Sequence, residues 1–280
     1  MIVALHSAPK DLFKGKPPYG NREFLNLIQK AFSMGFKGFQ VGPLKFQSVK
    51  GEHLKNLLDK FEMERNVHVG GLFDAEELSR KSEEYSKISR ELRYGILLCQ
   101  QISSNLMSFH PPFSMKPYLD EETLCKARNL FLELTDKALD FACSRGIHLA
   151  LESFCYPPFI FHGLDDFMDF VSKFPPSKLG ILMDVGHLYQ AKIDLEEAIE
   201  RFKSRLCDAH IHDATQQNNF RVATHLPIGK GTMNFSRLID CLHQVRYGGW
   251  LTLEIKGTEK EIVQSKTILE NLMKSSKQGR

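Results

Sequence analysis

Short runs rich in apolar and β-branched residues recur along the chain, separated by longer stretches with apolar residues on one helical face. The short runs are IVALH (2–6), GFQV (38–41), NVHVG (66–70), NLMSFH (105–110), IHLALE (147–152), LGILMD (179–184), LCDAHIH (206–212) and WLTLE (250–254). Runs of this length and composition predict strands. Stretches such as NREFLNLIQKAFSMG and EETLCKARNLFLELTDKALDFACSRG predict amphipathic helices. Two of these end at Gly35 and Gly146, a residue type that commonly closes a helix. The repeat averages about 35 residues, the size of one βα unit in an eight-fold barrel. The charge-dense helix around residues 76–93 reads as a solvated outer face.

No Pro/Ser-rich linker, low-complexity tract or charge shift divides the chain, so the expected architecture is α/β: a single (β/α)8 TIM barrel over residues 1–280. The hydrophobic share of 42% and charged share of 25% suit a globular protein with a large core. No apolar run approaches the ~20 residues of a membrane span, and the opening MIVALHSAPK turns polar too soon for a signal peptide. The six cysteines show no C-x-x-C pairing and read as small buried hydrophobes of a reducing compartment. The expected location is therefore cytoplasmic, with no membrane partner. A formal charge of +3 does not by itself argue for nucleic acid, and it is compatible with an anionic substrate such as a sugar phosphate.

The chemistry gathers where a barrel needs it. Active sites of such barrels lie at the C-terminal ends of the strands. Here those ends carry His6, Gln40, His68, His110, Glu152, Asp184, His210 and Glu254. All but Gln40 are metal-ligand types. Unpaired carboxylates crowded into one mouth repel one another and lose hydration, and a divalent cation removes that cost. The pattern predicts a metal site. In HIHDATQQNNFRVATHLPIGKG (210–231), His212 shares the strand face of His210 and reads as core or as support for a ligand. His225 enters a glycine-rich turn that lets backbone approach a ligand or metal. Lys230 and Lys256 fit either solvent-exposed cations or partners of a substrate phosphate.

LALES (149–153), LMDVGH (182–187), AHIHD (209–213), HLPIGKG (225–231) and GGWLTLE (248–254) occur in an order that resembles the divalent-metal barrels of the xylose isomerase-like superfamily. That superfamily holds sugar and sugar-phosphate isomerases and epimerases, and also endonuclease IV. The resemblance covers nearly the whole chain. It implies that Glu152, Asp184, His210 and Glu254 bind one cation and that His187 contacts a substrate oxygen; His225 and Lys256 stand beside these as candidate substrate contacts read from their own surroundings. The endonuclease branch adds two histidines, which implies His68 and His110 for a second site bridged by Glu152. Its late D-x-H pair, however, reads Ala223-Thr224-His225 here, its D-T-C-H reads D-V-G-H, and its Gly-Gln-Gly after the strand-five Glu is replaced by SFCYPPF. Loops 10–22 and 155–162 suit either a lid over a sugar or contacts to DNA.

The reading that follows is proton transfer next to a carbonyl through an enediolate, with Glu152 and Glu254 as the base and acid pair and a divalent cation as Lewis acid. Mn²⁺, Mg²⁺ or Co²⁺ suits the carboxylate-rich set, and the extra histidines favour Zn²⁺. Two alternatives stand beside it. One is an endonuclease IV-like, zinc-dependent phosphodiesterase acting on abasic DNA, and the other is a non-catalytic barrel that binds a sugar or a metal.

Overall fold

A computed structural model describes residues 1–6, 21–42, 50–81, 83–116, 118–217 and 222–278. The first half runs β1 (Ile2–His6), α1 (Asn21–Ser33), β2 (Gly38–Val41), α2 (Gly51–Lys60), β3 (Glu64–Val69), α3 (Ala75–Ser79), α4 (Glu83–Ile102) and β4 (Leu106–Phe109). It continues through α5 (Glu121–Cys143), β5 (His148–Glu152), α6 (Leu164–Ser172), β6 (Leu179–Asp184), α7 (Val185–Gln190) and α8 (Leu195–Phe202). The last part holds β7 (Leu206–Ile211), β8 (Asp213–Gln216), β9 (Val222–Leu226), α9 (Phe235–Gln244), β10 (Trp250–Leu253) and α10 (Glu259–Gln278).

Parallel pairing in the order β1-β10-β7-β6-β5-β4-β3-β2 closes the expected eight-stranded barrel, with β1 joined to β10 from Ile2↔Trp250 to Leu5↔Leu253. Alternation along each strand divides the side chains. Outward residues such as Phe39 and Phe109 pack with helix residues Phe131, Phe167 and Phe202 in one continuous apolar layer. Inward residues Leu106, Ala150 and Leu182 pack with Trp250 in a small separate cluster. Each lies two positions before a polar inward residue (Ser108, Glu152, Asp184 and Thr252), so the barrel's filling turns polar towards its C-terminal mouth.

Gly35 and Gly146 end α1 and α5 as expected, with φ of 76° and 67°. The charged segment 76–93 is not one helix. It divides into α3 and α4, with Lys81 at φ 51° in the break. Arg80 pairs with Glu76 and Glu77, and Lys87 with Glu84, on its outward side, while Ile88 and Leu92 face the core. Cys99, Cys155 and Cys241 are buried, but Cys125 and Cys143 are exposed, contrary to the expectation for all six. No described helix is long and apolar enough to cross a membrane. The 10–22 loop, but for its last two residues, lies outside the described residues.

The segment after β7 is not a loop. β8 and β9 pair antiparallel, Asp213 opposite Leu226 and Gln216 opposite Val222. Asp213 anchors this hairpin to the turn that follows it. Its Oδ1 accepts from the backbone N–H of Ala214 (2.9 Å) and Met233 (3.1 Å), and its Oδ2 from Gly229 (2.9 Å) and Gly231 (2.8 Å). A Cβ at Gly231 would stand 2.3 Å from Asp213 Oδ1. The glycines of PIGKG therefore bring the backbone to a carboxylate of the protein, not to a ligand or metal as the sequence suggested. Asp213→Ala strands four backbone donors, one buried and three part-buried, and should cost roughly 3 kcal/mol. Urea unfolding checks this, and an unchanged midpoint would show that the clamp contributes nothing.

Candidate metal centre

The site begins with how β6 hands over to α7. Asp184 is the last residue of β6 and the N-cap of α7, its Oδ1 accepting from His187 N–H at 2.7 Å. Capping of the third residue by an Asp side chain is ordinary helix chemistry. Here it fixes the D-x-x-H spacing and turns the His187 ring back over the strand. The intervening Gly186 packs against His212, where a Cβ would lie 1.9 Å from the ring. His212 Nε2 is in turn 3.0 Å from Asp184 Oδ1, so His212 supports the carboxylate rather than filling apolar core.

Four strand ends converge on His210. Its Nδ1 lies 2.9 Å from Glu254 Oε2, 3.7 Å from Asp184 Oδ2 and 3.8 Å from Glu152 Oε1. A second group meets on the other oxygen of Glu152. His110 Nε2 is 2.9 Å and His68 Nε2 3.5 Å from Oε2, and the two ring nitrogens are 3.1 Å apart. His187 Nε2 faces Glu152 Oε1 at 3.5 Å and Asp184 Oδ2 at 3.7 Å. Its Nδ1 lies 3.1 Å from the Tyr156 hydroxyl. Three overlapping sets can each surround an ion: His68, His110 and Glu152; Glu152, Asp184 and His187; and Asp184, His210 and Glu254. Glu152 Oε2 and His210 Nδ1 are buried without a hydrogen-bond partner despite these close approaches. Carboxylate oxygens and imidazole nitrogens gathered around one gap are a donor set that a divalent cation completes.

The family comparison agrees with this architecture. The profile described as xylose isomerase-like TIM barrel matches residues 28–275, a span that runs from within α1 into α10. The chain belongs to this family. An uncharacterised protein of Methanocaldococcus jannaschii, MJ1311, is 25% identical over 232 residues, which cover 79% of this chain and 74% of that protein. The fold superposes on the crystal structure of a D-tagatose 3-epimerase-like protein with a TM-score of 0.80 at 20% identity, covering 100% of this chain and 99% of the other. The IolI protein, solved with a bound zinc atom, gives a TM-score of 0.74 at 13% identity, covering 99% of each chain. At these identities the structural likeness concerns the fold.

Within this xylose isomerase-like barrel the electrostatics are uneven. Burial raises the Glu152 pKa, against the pull of His110 and His210. Burial acts the same way on Asp184, but the imidazoles of His212 and His210 outweigh it and hold Asp184 well below the usual range. For Glu254 too, burial is outweighed, by His6 and His210, and the pKa lies well below normal. Burial pushes His187 down to about 3, so its ring stays neutral. His68 is likewise driven well down by burial, with His110, His210 and His6 adding to it.

His225 stands at φ 57° near the end of β9, its ring 4.3 Å from that of His212 and its Nδ1 3.1 Å from the Glu254 carbonyl oxygen. Lys256 meets His225 through its backbone N–H, and the Lys256 and Lys230 side chains are exposed. The 155–162 loop forms a wall beside the site. Phe154 stacks on Phe159 and lies tilted against His187, ring centres 3.9 Å apart in both pairs, and Ser114 N–H donates to Pro158 O at 2.8 Å. The sequence reading missed Tyr156 and a layer beneath the ligands. There Asp208 accepts from Gln40 (2.8 Å), Asn66 (2.9 Å) and Thr252 (2.8 Å), while Gln40 Oε1 lies 2.8 Å from His210 Nε2. The available signal was the two-residue spacing of Asp208 and His210, which places both on one strand face.

Proposed function

We propose that residues 1–280 form one domain that acts as a divalent-metal-dependent isomerase or epimerase of a sugar or sugar phosphate. The observation that carries this reading is the meeting of Glu152, Asp184 and Glu254 around His210, three carboxylates and one imidazole at the barrel mouth. These four side chains would hold the cation, and a bound cation polarises a carbonyl oxygen and stabilises the negative charge that develops there. Glu152 and Glu254 come from strands with β6 and β7 between them, and can address a substrate from different sides. One takes the proton from the carbon beside the carbonyl and the other returns it. His187, neutral and held by Tyr156, orients a substrate oxygen, and Phe154 and Phe159 keep water from that side. His225 lines the same mouth, and Lys256 offers an exposed cation to a phosphate. The carboxylates suit Mn²⁺, Mg²⁺ or Co²⁺ and the additional histidines Zn²⁺, the ion bound in the structure of the IolI protein.

A second reading has its own observation. His68 and His110 with Glu152 offer a second seat that shares a carboxylate with the first, as a zinc-dependent phosphodiesterase acting on abasic DNA would need. Elemental analysis of protein purified without added chelator separates the two. One ion per chain, with epimerisation or isomerisation lost on chelation and restored by metal, is the expected result. Two or three zinc ions per chain, with incision of abasic-site DNA that is lost in His110→Ala, would replace the first reading by the second.

A further inference from the structure

We infer that Asp208, acting through Gln40, decides which nitrogen of His210 is offered to a metal. The inference rests on His210 being a metal ligand, and it concerns two residues that make no contact with the ion. A carboxylate only accepts hydrogen bonds, so the Gln40 amide nitrogen has to be the atom that faces Asp208 Oδ2, at 2.8 Å. The amide oxygen is thereby turned to His210 Nε2, also at 2.8 Å. An amide oxygen only accepts, so Nε2 carries a proton. In the neutral ring the lone pair is then on Nδ1, the atom that faces Glu254, Asp184 and Glu152. The order of donors and acceptors runs one way from Asp208 to the ligand.

Asp208 is itself held so that this order cannot reverse. Asn66 donates to the same Oδ2 at 2.9 Å and Thr252 to Oδ1 at 2.8 Å. With Gln40 these donors come from β2, β3 and β10 and meet β7 inside the barrel. All four side chains are buried. Polar filling alone would satisfy Asp208 without involving a metal ligand. The Gln40 link adds an anion behind the imidazole, which fixes the ring and raises the basicity of its free nitrogen, and such outer partners commonly change metal affinity ~10–100-fold. Asp208 and Gln40 are therefore positioning residues.

The test uses the full chain, freed of metal and titrated with Zn²⁺ against a chromophoric chelator. Gln40→Met keeps the bulk but removes the acceptor and should weaken zinc binding ~10–100-fold. Asp208→Asn should do nearly the same, and the double variant should be no weaker than the worse single one, because both break one chain. Thr252→Val removes a donor to Asp208 but leaves the Gln40 link, and should lose far less. The zinc-loaded wild type supplies a readout that depends on no variant folding. Long-range ¹H–¹⁵N correlation should show His210 protonated at Nε2 and metal-bound at Nδ1. Zinc on Nε2, affinities of Gln40→Met and Asp208→Asn within two-fold of wild type, or losses that add independently would each overturn the inference while leaving His210 a ligand. A wild type that binds no zinc, or binds it without His210, would overturn the ligand assignment and the inference together.

Discussion

Asp184→Ala should leave the barrel folded and nearly empty of metal. The carboxylate is fully buried and both oxygens are used: Oδ1 caps α7, both oxygens meet His212, and Oδ2 faces His210 and His187 at 3.7 Å. Loss of the cap costs about 1 kcal/mol, and loss of a buried carboxylate beside Glu152 offsets part of that. The circular dichroism spectrum should therefore stay close to wild type. Metal affinity should fall by more than the ~10–100-fold typical of outer-shell changes, because this residue would touch the ion itself. Asp184→Asn separates the two roles. Asn caps as well as Asp, so α7 and the position of His187 are preserved, yet the charge that draws the cation is gone. Both variants should lose metal, and only the Ala variant should lose helix stability. Full metal occupancy in either would remove Asp184 from the centre.

The barrel was legible because each strand is a short apolar run and each helix a periodic one, and their alternation leaves few topologies. The strand ends were legible for the same reason. Once β5, β6, β7 and β10 are placed, Glu152, Asp184, His210 and Glu254 have to share one mouth. What stayed hidden depends on contacts distant in sequence. The β8–β9 hairpin has no apolar face of its own, and DATQ and VATHL are held by each other and by Asp213, so periodicity does not reveal them. The break at Lys81 lies inside a charged run that reads equally well as one helix. The Asp208 layer stayed hidden because the ligand chemistry stands at the last residues of the strands, and Asp208 lies two positions before His210. Its role appears only when Gln40, 168 residues away from Asp208, is seen to donate to it.

The chemistry itself is tested by Glu152→Gln and Glu254→Gln. The two carboxyls sit in surroundings that push them apart, burial raising Glu152 while His6 and His210 hold Glu254 well below its usual range. Under the proposed reading one of the pair would serve as base and the other as acid. Gln keeps the size and one potential oxygen ligand of Glu but takes no proton, so some metal should remain bound while turnover fails. General acid–base catalysis contributes ~10²–10⁴-fold, and kcat in each variant should drop by at least that much at saturating metal. His187→Ala should differ, raising KM as well, because its ring lies against Glu152 and Asp184 as a neutral hydrogen-bonding group. Solvent deuterium reads the step directly. With a ketose that the wild type accepts, the proton on the carbon beside the carbonyl should exchange into D₂O, and neither Gln variant should support that exchange. Metal-loaded wild type that exchanges no such proton across a broad panel of sugars and sugar phosphates would refute the isomerase or epimerase reading, whatever the metal content of the variants.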